Sequence, residues 1–112
     1  MSQIMNHSVD ELESIERYTE AILATPDPYS YFKRGKLYNK MGNREKALAD
    51  FDMAIHLKPD FKATYYNRAN LHIRNKAYLL AIEDYTKVVE LLSSNLPENV
   101  LNEPLAKVYS GN

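Results

Sequence analysis

The chain has 112 residues, of which 45% are apolar and 26% charged, and its formal net charge is −1. This length suits a single folded domain, and the near-neutral charge gives no overall attraction for nucleic acid or for an anionic membrane. The sequence contains no cysteine, which excludes disulfide bonds, cysteine-ligated zinc and a thiol nucleophile.

Residues 1–27 are predicted to form a short disordered tail and one helix. We expect disorder over 1–7, whereas residues 8–27 carry Tyr18, Ala21 and Ile22 at helical spacing. No basic cluster followed by an apolar run opens the chain, so no signal peptide is expected. No apolar stretch reaches the roughly 18 residues of a membrane span. These features predict a cytoplasmic protein that does not contact a membrane.

Residues 28–61 and 62–95 are predicted to be two copies of one repeating unit. In both copies, apolar residues recur at helical spacing in two consecutive segments, so each copy is expected to be a pair of helices. Six positions are identical between the copies: Tyr31 and Tyr65, Arg34 and Arg68, Leu37 and Leu71, Ala47 and Ala81, Asp50 and Asp84, Leu57 and Leu91.

The predicted helix ends follow from residues with strong positional preferences. Asp27–Pro28 combines an N-cap with proline at the first helical position. Gly42 can take the left-handed conformation that ends the first helix, and Asn43 can cap the second. Lys58–Pro59 ends the second helix, because proline disfavours a helical residue before it. Asp60 is then expected to cap the first helix of the next unit.

The residues at the helix crossings carry a family resemblance. Gly35 and Ala47 are small where two antiparallel helices would cross, and large side chains surround them. The first unit resembles the tetratricopeptide repeat at nearly every marked position: Tyr31, Gly35, Tyr38, Ala47, Phe51, Ala54 and Pro59. The second unit is a looser copy, in which His72, Val88 and Ser93 replace the usual residues. Lys76 stands where Gly42 stood, so Asn75 or Lys76 must take the turn conformation, and we expect this loop to be less well formed.

The resemblance implies an all-α fold, in which antiparallel helical hairpins stack as a right-handed α-solenoid over residues 8–95. Residues 8–27 match the second helix of an earlier repeat at an offset of 33, which implies one inserted residue at Asp27 or Pro28. Residues 96–112 contain Leu101, Leu105 and Val108 at helical spacing. They are expected to form a capping helix or a tail, which could instead fold back into the groove.

The resemblance also implies that the chain binds a protein or peptide on the concave face, which the first helix of each hairpin lines. The residues expected on that face are aromatic, basic or amide-bearing: Tyr29, Phe32, Lys33, Lys36, Lys40, Tyr66, Asn67, Asn70 and Arg74. None of them is expected to be needed for core packing.

The charge distribution favours an acidic partner. Residues 28–76 contain 11 Lys or Arg and 4 Asp or Glu, a net charge of +7. Residues 1–27 contain 6 acids and 1 base, a net charge of −5. Lysines beside aromatic rings and amides suit an acidic peptide or a C-terminal carboxylate. The alternative is that the lysines form only a solvated helix face.

The carboxylate clamp, by which some relatives hold the acidic C-termini of chaperones, is a narrower possibility. It requires basic and asparagine side chains at set places on three successive first helices. Asn67 matches that pattern, but Phe32 occupies a lysine place and Lys36 an asparagine place. No third first helix follows, so we expect no chaperone-tail binding.

Catalysis, metal binding and cofactor binding are not expected. The three histidines are too far apart to form an obvious metal site, and His72 is expected to pack in the core. Four carboxylates are expected to be solvated on the convex side: Asp50, Asp52, Glu83 and Asp84. Nucleic-acid binding is disfavoured by the acidic first segment. A homodimer remains an alternative, because the incomplete terminal repeats could leave apolar residues such as Ile15, Tyr18 or Ile22 partly uncovered.

Overall fold

The computed structural model describes residues 2–94, with side chains from residue 9 onward. This part of the chain consists of five helices: α1 (Ser2–Ala24), α2 (Pro28–Lys40), α3 (Arg44–Leu57), α4 (Lys62–Arg74) and α5 (Tyr78–Ser93). Helix α2 pairs with α3 and α4 pairs with α5, while α1 packs on α2 and α3 packs on α4. The predicted all-α stack of helical hairpins is therefore confirmed.

The ends of helix α2 and the start of α3 follow the sequence signals. The Asp27 carboxylate accepts hydrogen bonds from the backbone N–H groups of Tyr29 and Ser30. Gly42 adopts a φ of 85°, which the left-handed turn requires and glycine tolerates. The Asn43 side chain then accepts a hydrogen bond from the N–H of Lys46. The first N–H groups of a helix have no acceptor within the helix, so these side-chain caps satisfy some of them and fix where the helices begin.

The start of helix α4 differs from the prediction. Its N-cap is Phe61, which makes no side-chain capping hydrogen bond. Asp60 lies one residue too early to cap, and its carboxylate instead pairs with the Lys58 ammonium at 3.2 Å. The predicted Asp60 cap is therefore wrong, because α4 begins one residue later than the spacing suggested.

The second hairpin turn has the same backbone geometry as the first. Lys76 takes the left-handed conformation, with a φ of 59°. The N–H of Ala77 donates to the carbonyl of His72 at 2.8 Å, as the N–H of Asn43 donates to the carbonyl of Tyr38 at 2.8 Å. The expected loosening of this loop is wrong for the backbone, because those bonds use main-chain atoms only. The turn does lack a cap, since Ala77 has no side-chain acceptor.

Helix α1 is longer than predicted. It begins at Ser2, so residues 2–7 are helical and the predicted disorder over 1–7 is wrong for them. The sequence has neither glycine nor proline before Pro26, so no residue interrupts the helix. The predicted capping helix or tail over 96–112 lies outside the described residues.

The core lies between α2, α3 and α4. Ala47, Phe51 and Leu71 are almost fully buried there, and Phe32, Tyr38 and Leu48 pack against them. Gly35 permits this close approach, because a Cβ atom at that position would lie 2.8 Å from Cε1 of Phe51. The small residue at the crossing therefore sets how closely α2 and α3 approach.

Candidate functional site

Three lysines form one exposed face of helix α2. Lys33, Lys36 and Lys40 recur at helical spacing, and all three side chains are exposed. Together with Leu37 they form one wall of a cleft of about 370 Å³, and helix α1 forms the other wall with Ser14 and Tyr18. The cleft therefore has basic groups along one side and an aromatic ring on the other.

The predicted aromatic residues divide into exposed and buried members. Tyr29 and Tyr66 are 53% and 52% exposed, although the Tyr29 ring also lies 5.2 Å from that of Phe61. Phe32 is half-buried, with its ring centroid 4.9 Å from Phe61 and 6.2 Å from Phe51. The expectation that Phe32 is dispensable for core packing is therefore wrong. Phe32 packs against the neighbouring repeat because its side chain faces the start of α4 rather than solvent.

The predicted polar residues of helix α4 are already hydrogen-bonded. Nδ2 of Asn67 donates to the carbonyl of Ala63 at 2.7 Å. Oδ1 of Asn70 accepts from the hydroxyl of Tyr85, and Arg74 donates to the side chain of Asn39 on α2. These bonds hold the side chains in place and leave Oδ1 of Asn67 and Nδ2 of Asn70 for other partners.

Two buried ion pairs were not predicted from the sequence. Asp50 and Asp84, expected to be solvated, are each only 4% exposed. Arg34 binds Asp50 through two parallel hydrogen bonds of 2.8 Å, and Arg68 binds Asp84 in the same way at 2.8 and 2.7 Å. Such two-pronged contacts are the strong form of the arginine–carboxylate interaction.

Each arginine also contacts the preceding repeat. Nη1 of Arg34 donates to the hydroxyl of Thr19 on α1 at 3.0 Å, and Nη1 of Arg68 donates to Asp52 on α3 at 2.8 Å. The hydrogen bond to Asp50 raises the pKa of Arg34, and the hydrogen bond to Asp84 raises the pKa of Arg68. Both guanidinium groups therefore stay charged and tie three successive helices together.

The sequence did contain a signal for this pair. Arginine and aspartate are both identical between the two units, and in each unit they are separated by the same interval. A charged pair retained beside core positions is expected to be an internal ion pair, because a buried charge requires a partner.

The remaining candidate groups show no convergence in the part of the chain that the structure describes. Nε2 of His72 lies 3.7 Å from Asp84, and the His72 side chain is largely buried, as expected. Among these residues, no three His, Asp or Glu side chains could hold a metal ion. None of the described helices is long and apolar enough to cross a membrane.

The helical hairpins, their small residues at the crossings and the surface of exposed lysines and tyrosines define an all-helical repeat protein. Residues 28–61 and 63–93 each match a family model of the tetratricopeptide repeat. These matches together span more than half of the chain, which therefore belongs to the tetratricopeptide repeat family. Repeats of this kind are protein–protein interaction modules, and the fold is typically not catalytic.

Individual relatives agree with this assignment. The chain is 32% identical over 82 residues to serine/threonine-protein phosphatase T of Trypanosoma brucei brucei, covering 73% of this chain and 17% of the phosphatase. It is 32% identical over 88 residues to DnaJ homolog subfamily C member 3 of Rattus norvegicus, covering 78% of this chain and 17% of that protein. The crystal structure of MamA superposes with a TM-score of 0.74 at 22% identity, covering 76% of this chain and 50% of MamA.

These similarities concern a part of each relative. The chain spans about a sixth of the two curated relatives, so their whole-protein activities do not transfer to it. The likeness to MamA shows the fold alone.

Proposed function

We propose that the concave face formed by α2 and α4 binds an acidic segment of another protein, either an extended peptide or a C-terminal carboxylate. The proposal depends chiefly on the row of exposed lysines, Lys33, Lys36 and Lys40, on a rigid helix beside the exposed ring of Tyr29. Opposite charges across an interface accelerate association and fix its register.

The lysines and the tyrosines would contribute differently. Ion pairs formed by exposed lysines add little affinity each, because solvent and salt screen them. Tyr29 and Tyr66 offer larger apolar areas that a bound peptide could cover, and aromatic residues are enriched in the centres of interfaces. Oδ1 of Asn67 and Nδ2 of Asn70 would hydrogen-bond the peptide backbone. We therefore expect the rings to set the affinity and the lysines to select acidic ligands.

A comparison of charge-reversed proteins tests the proposal. The Lys33→Glu, Lys36→Glu, Lys40→Glu variant should lose the partners that the immobilised wild type captures from a cell lysate, as identified by mass spectrometry. The matched control is Lys46→Glu, Lys76→Glu, Lys87→Glu, which makes the same charge change on α3, the α4–α5 turn and α5 and should retain the partners. Loss in both variants would indicate a general effect of charge, and retention in both would place binding off the concave face.

A homo-oligomeric scaffold is the second candidate function. It is favoured by the outer face of α5, where Ile82 and Val89 are 58% and 61% exposed. Ile22 on α1 is buried and Ile15 and Tyr18 are half-buried, so the predicted uncovered N-terminal residues support it less. An Ile82→Lys, Val89→Lys variant that changes the solution mass would favour this function. The expected cytoplasmic location remains a prediction.

A further inference from the structure

The cleft between α1 and α2 has the composition of an unfinished repeat core. The structure aligns α1 with α3 at an offset of 33, because Thr19 contacts Arg34 where Asp52 contacts Arg68. At this offset Ser14 and Tyr18 correspond to Ala47 and Phe51, and Leu37 corresponds to Leu71 at the repeat offset of 34.

The corresponding residues in the full repeats form the buried centre of the molecule. Ala47, Phe51 and Leu71 make up the core cluster, which helix α2 covers with Phe32 and Tyr38. Ser14, Tyr18 and Leu37 line the open cleft instead. In the described part of the chain, no helix covers them as α2 covers Phe51. The cleft therefore has the shape and floor that a first helix of a repeat would fill.

One residue at the edge of this cleft has the opposite charge to its counterparts in the full repeats. Asp50 and Asp84 each hold an arginine from the first helix of their own repeat. At the offset of 33, the residue of α1 at this place is Arg17. The Arg17 side chain is exposed, and its guanidinium contacts the Ser14 hydroxyl at 3.2 Å. A helix lying in the cleft would therefore contact an arginine at the place where α2 and α4 contact an aspartate.

The α2 wall of the cleft is basic, whereas Arg17 on α1 lies among Glu13, Glu16 and Glu20. Lys33, Lys36 and Lys40 line it from α2. At the equivalent place one repeat later, Arg74 of α4 donates to Asn39 of α2. By the same geometry, Lys40 would donate to an acceptor on the incoming helix.

We infer that the α1–α2 cleft binds an acidic amphipathic helix of a partner protein, which packs against Tyr18 and Leu37 as α2 packs against Phe51 and Leu71. The incoming helix carries a small residue opposite Tyr18, because Gly35 meets Phe51 with no room for a Cβ atom. It carries a carboxylate opposite Arg17, where α2 carries Arg34. This second site binds a helix rather than an extended peptide, so it goes beyond the proposed function. Both sites use the lysines of α2.

A peptide made from the chain's own first helix tests this inference. The probe has the sequence of residues 27–41, which includes the N-cap Asp27, with Lys33→Glu, Lys36→Glu and Lys40→Glu to match the basic wall. One version also carries Arg34→Glu, and the other retains Arg34. Wild-type protein should bind the Arg34→Glu peptide about tenfold more tightly in an NMR titration, with amide shifts at Ser14 and Tyr18.

Charge reversal in the protein should reverse the preference. Arg17→Asp restores the aspartate of the full repeats and should favour the peptide that retains Arg34. The matched control Arg44→Asp makes the same change in charge outside the cleft and should keep the wild-type preference. Circular dichroism checks that both variants are folded, which we expect because both arginines are exposed.

Several results would overturn the inference. These are no binding of the Arg34→Glu peptide, an unchanged preference in Arg17→Asp, or shifts confined to the region of Tyr66 and Asn70. A dimer that Arg17→Asp dissociates would assign the cleft to a second copy. An affinity that rises on deletion of residues 95–112 would assign it to the chain's own C-terminal segment. Tyr66→Ala should weaken concave-face binding without affecting this peptide, so the two proposals can fail separately.

Discussion

The two full repeats place equivalent residues in different surroundings. Leu48 of the first repeat packs against the core cluster to which α4 contributes Leu71. Its counterpart Ile82 in the second repeat is exposed, as is Val89, the counterpart of Ile55. Even an identical position can differ in this way, because Leu37 lines the cleft beside α1 whereas its counterpart Leu71 is buried in the core cluster. Each hairpin therefore maintains its own packing, and its environment depends on what stacks beside it.

The crossing residue offers the strongest way to break the first repeat. Gly35→Leu should lower the free energy of unfolding by about 3 kcal/mol, because the added side chain must displace Phe51 and Asp50. Thermal unfolding followed by circular dichroism measures the loss. The second repeat already carries Ala69, fully buried, at this place. Ala69→Gly should therefore cost only about 1 kcal/mol, and an equal loss in both variants would contradict the proposed crossing geometry.

The buried ion pair gives the next largest effect. Asp50→Ala should destabilise the protein by about 3 kcal/mol, because it leaves Arg34 partly buried without its carboxylate. Asp52→Ala is the matched control: Asp52 is largely exposed although it also contacts an arginine, so the loss should stay below about 1 kcal/mol. Urea unfolding of both variants measures the difference. Similar losses would show that burial does not determine the strength of these pairs.

The physics of the sequence explains which of these features could be predicted. Helix number, hairpin pairing and the Asp27, Gly42 and Asn43 signals depend on local spacing, so the sequence predicted them. The burial of Asp50 and Phe32 depends on which helix lies beside them after folding. From residue type alone, Asp50 was predicted to be solvated and Phe32 to contact a ligand. The predicted surface lysines are exposed, but no residue pattern identifies what they bind. The sequence also predicted the alignment of α1 with α3, whereas the open cleft beside α1 was found only in the structure.

We expect a smaller difference in stability between substitutions at Leu48 and at its exposed counterpart Ile82 on α5. Leu48→Ala removes a half-buried side chain packed on the core and should cost about 1.5 kcal/mol. Ile82→Ala removes an exposed one and should change the free energy of unfolding by no more than about 0.5 kcal/mol. Unfolding at two protein concentrations sharpens the comparison. A concentration-dependent loss in Ile82→Ala would mean that a second copy covers α5.

The starts of α2 and α4 differ by one cap. Asp27→Ala should cost about 1 kcal/mol, because the N–H groups of Tyr29 and Ser30 lose their acceptor. The hydrogen bond from the Ser30 hydroxyl, followed by the backbone bonds, lowers the pKa of Asp27 below its ordinary value of 3.8. A lowered folded-state pKa means that the stabilisation is complete above the unfolded value and disappears as pH falls through the folded one. The stability difference between wild type and Asp27→Ala should therefore shrink below about pH 4, as measured by thermal melts across pH.

The two hairpin turns allow the smallest and most exact comparison, since their backbone hydrogen bonds match and their residues differ. Lys76 adopts a positive φ that costs a residue with a side chain about 1 kcal/mol relative to glycine. Lys76→Gly should therefore stabilise the second hairpin by about 0.5 kcal/mol, because the greater entropy of glycine in the unfolded chain offsets part of the gain. Gly42→Ala should destabilise the first hairpin by about 1 kcal/mol, although open space surrounds its Cβ position. Changes of opposite sign in the melting temperatures of the two variants would establish that the two turns differ in stability through backbone conformation alone. If Lys76→Gly destabilises the protein instead, the lysine side chain must contribute an interaction that outweighs the strain.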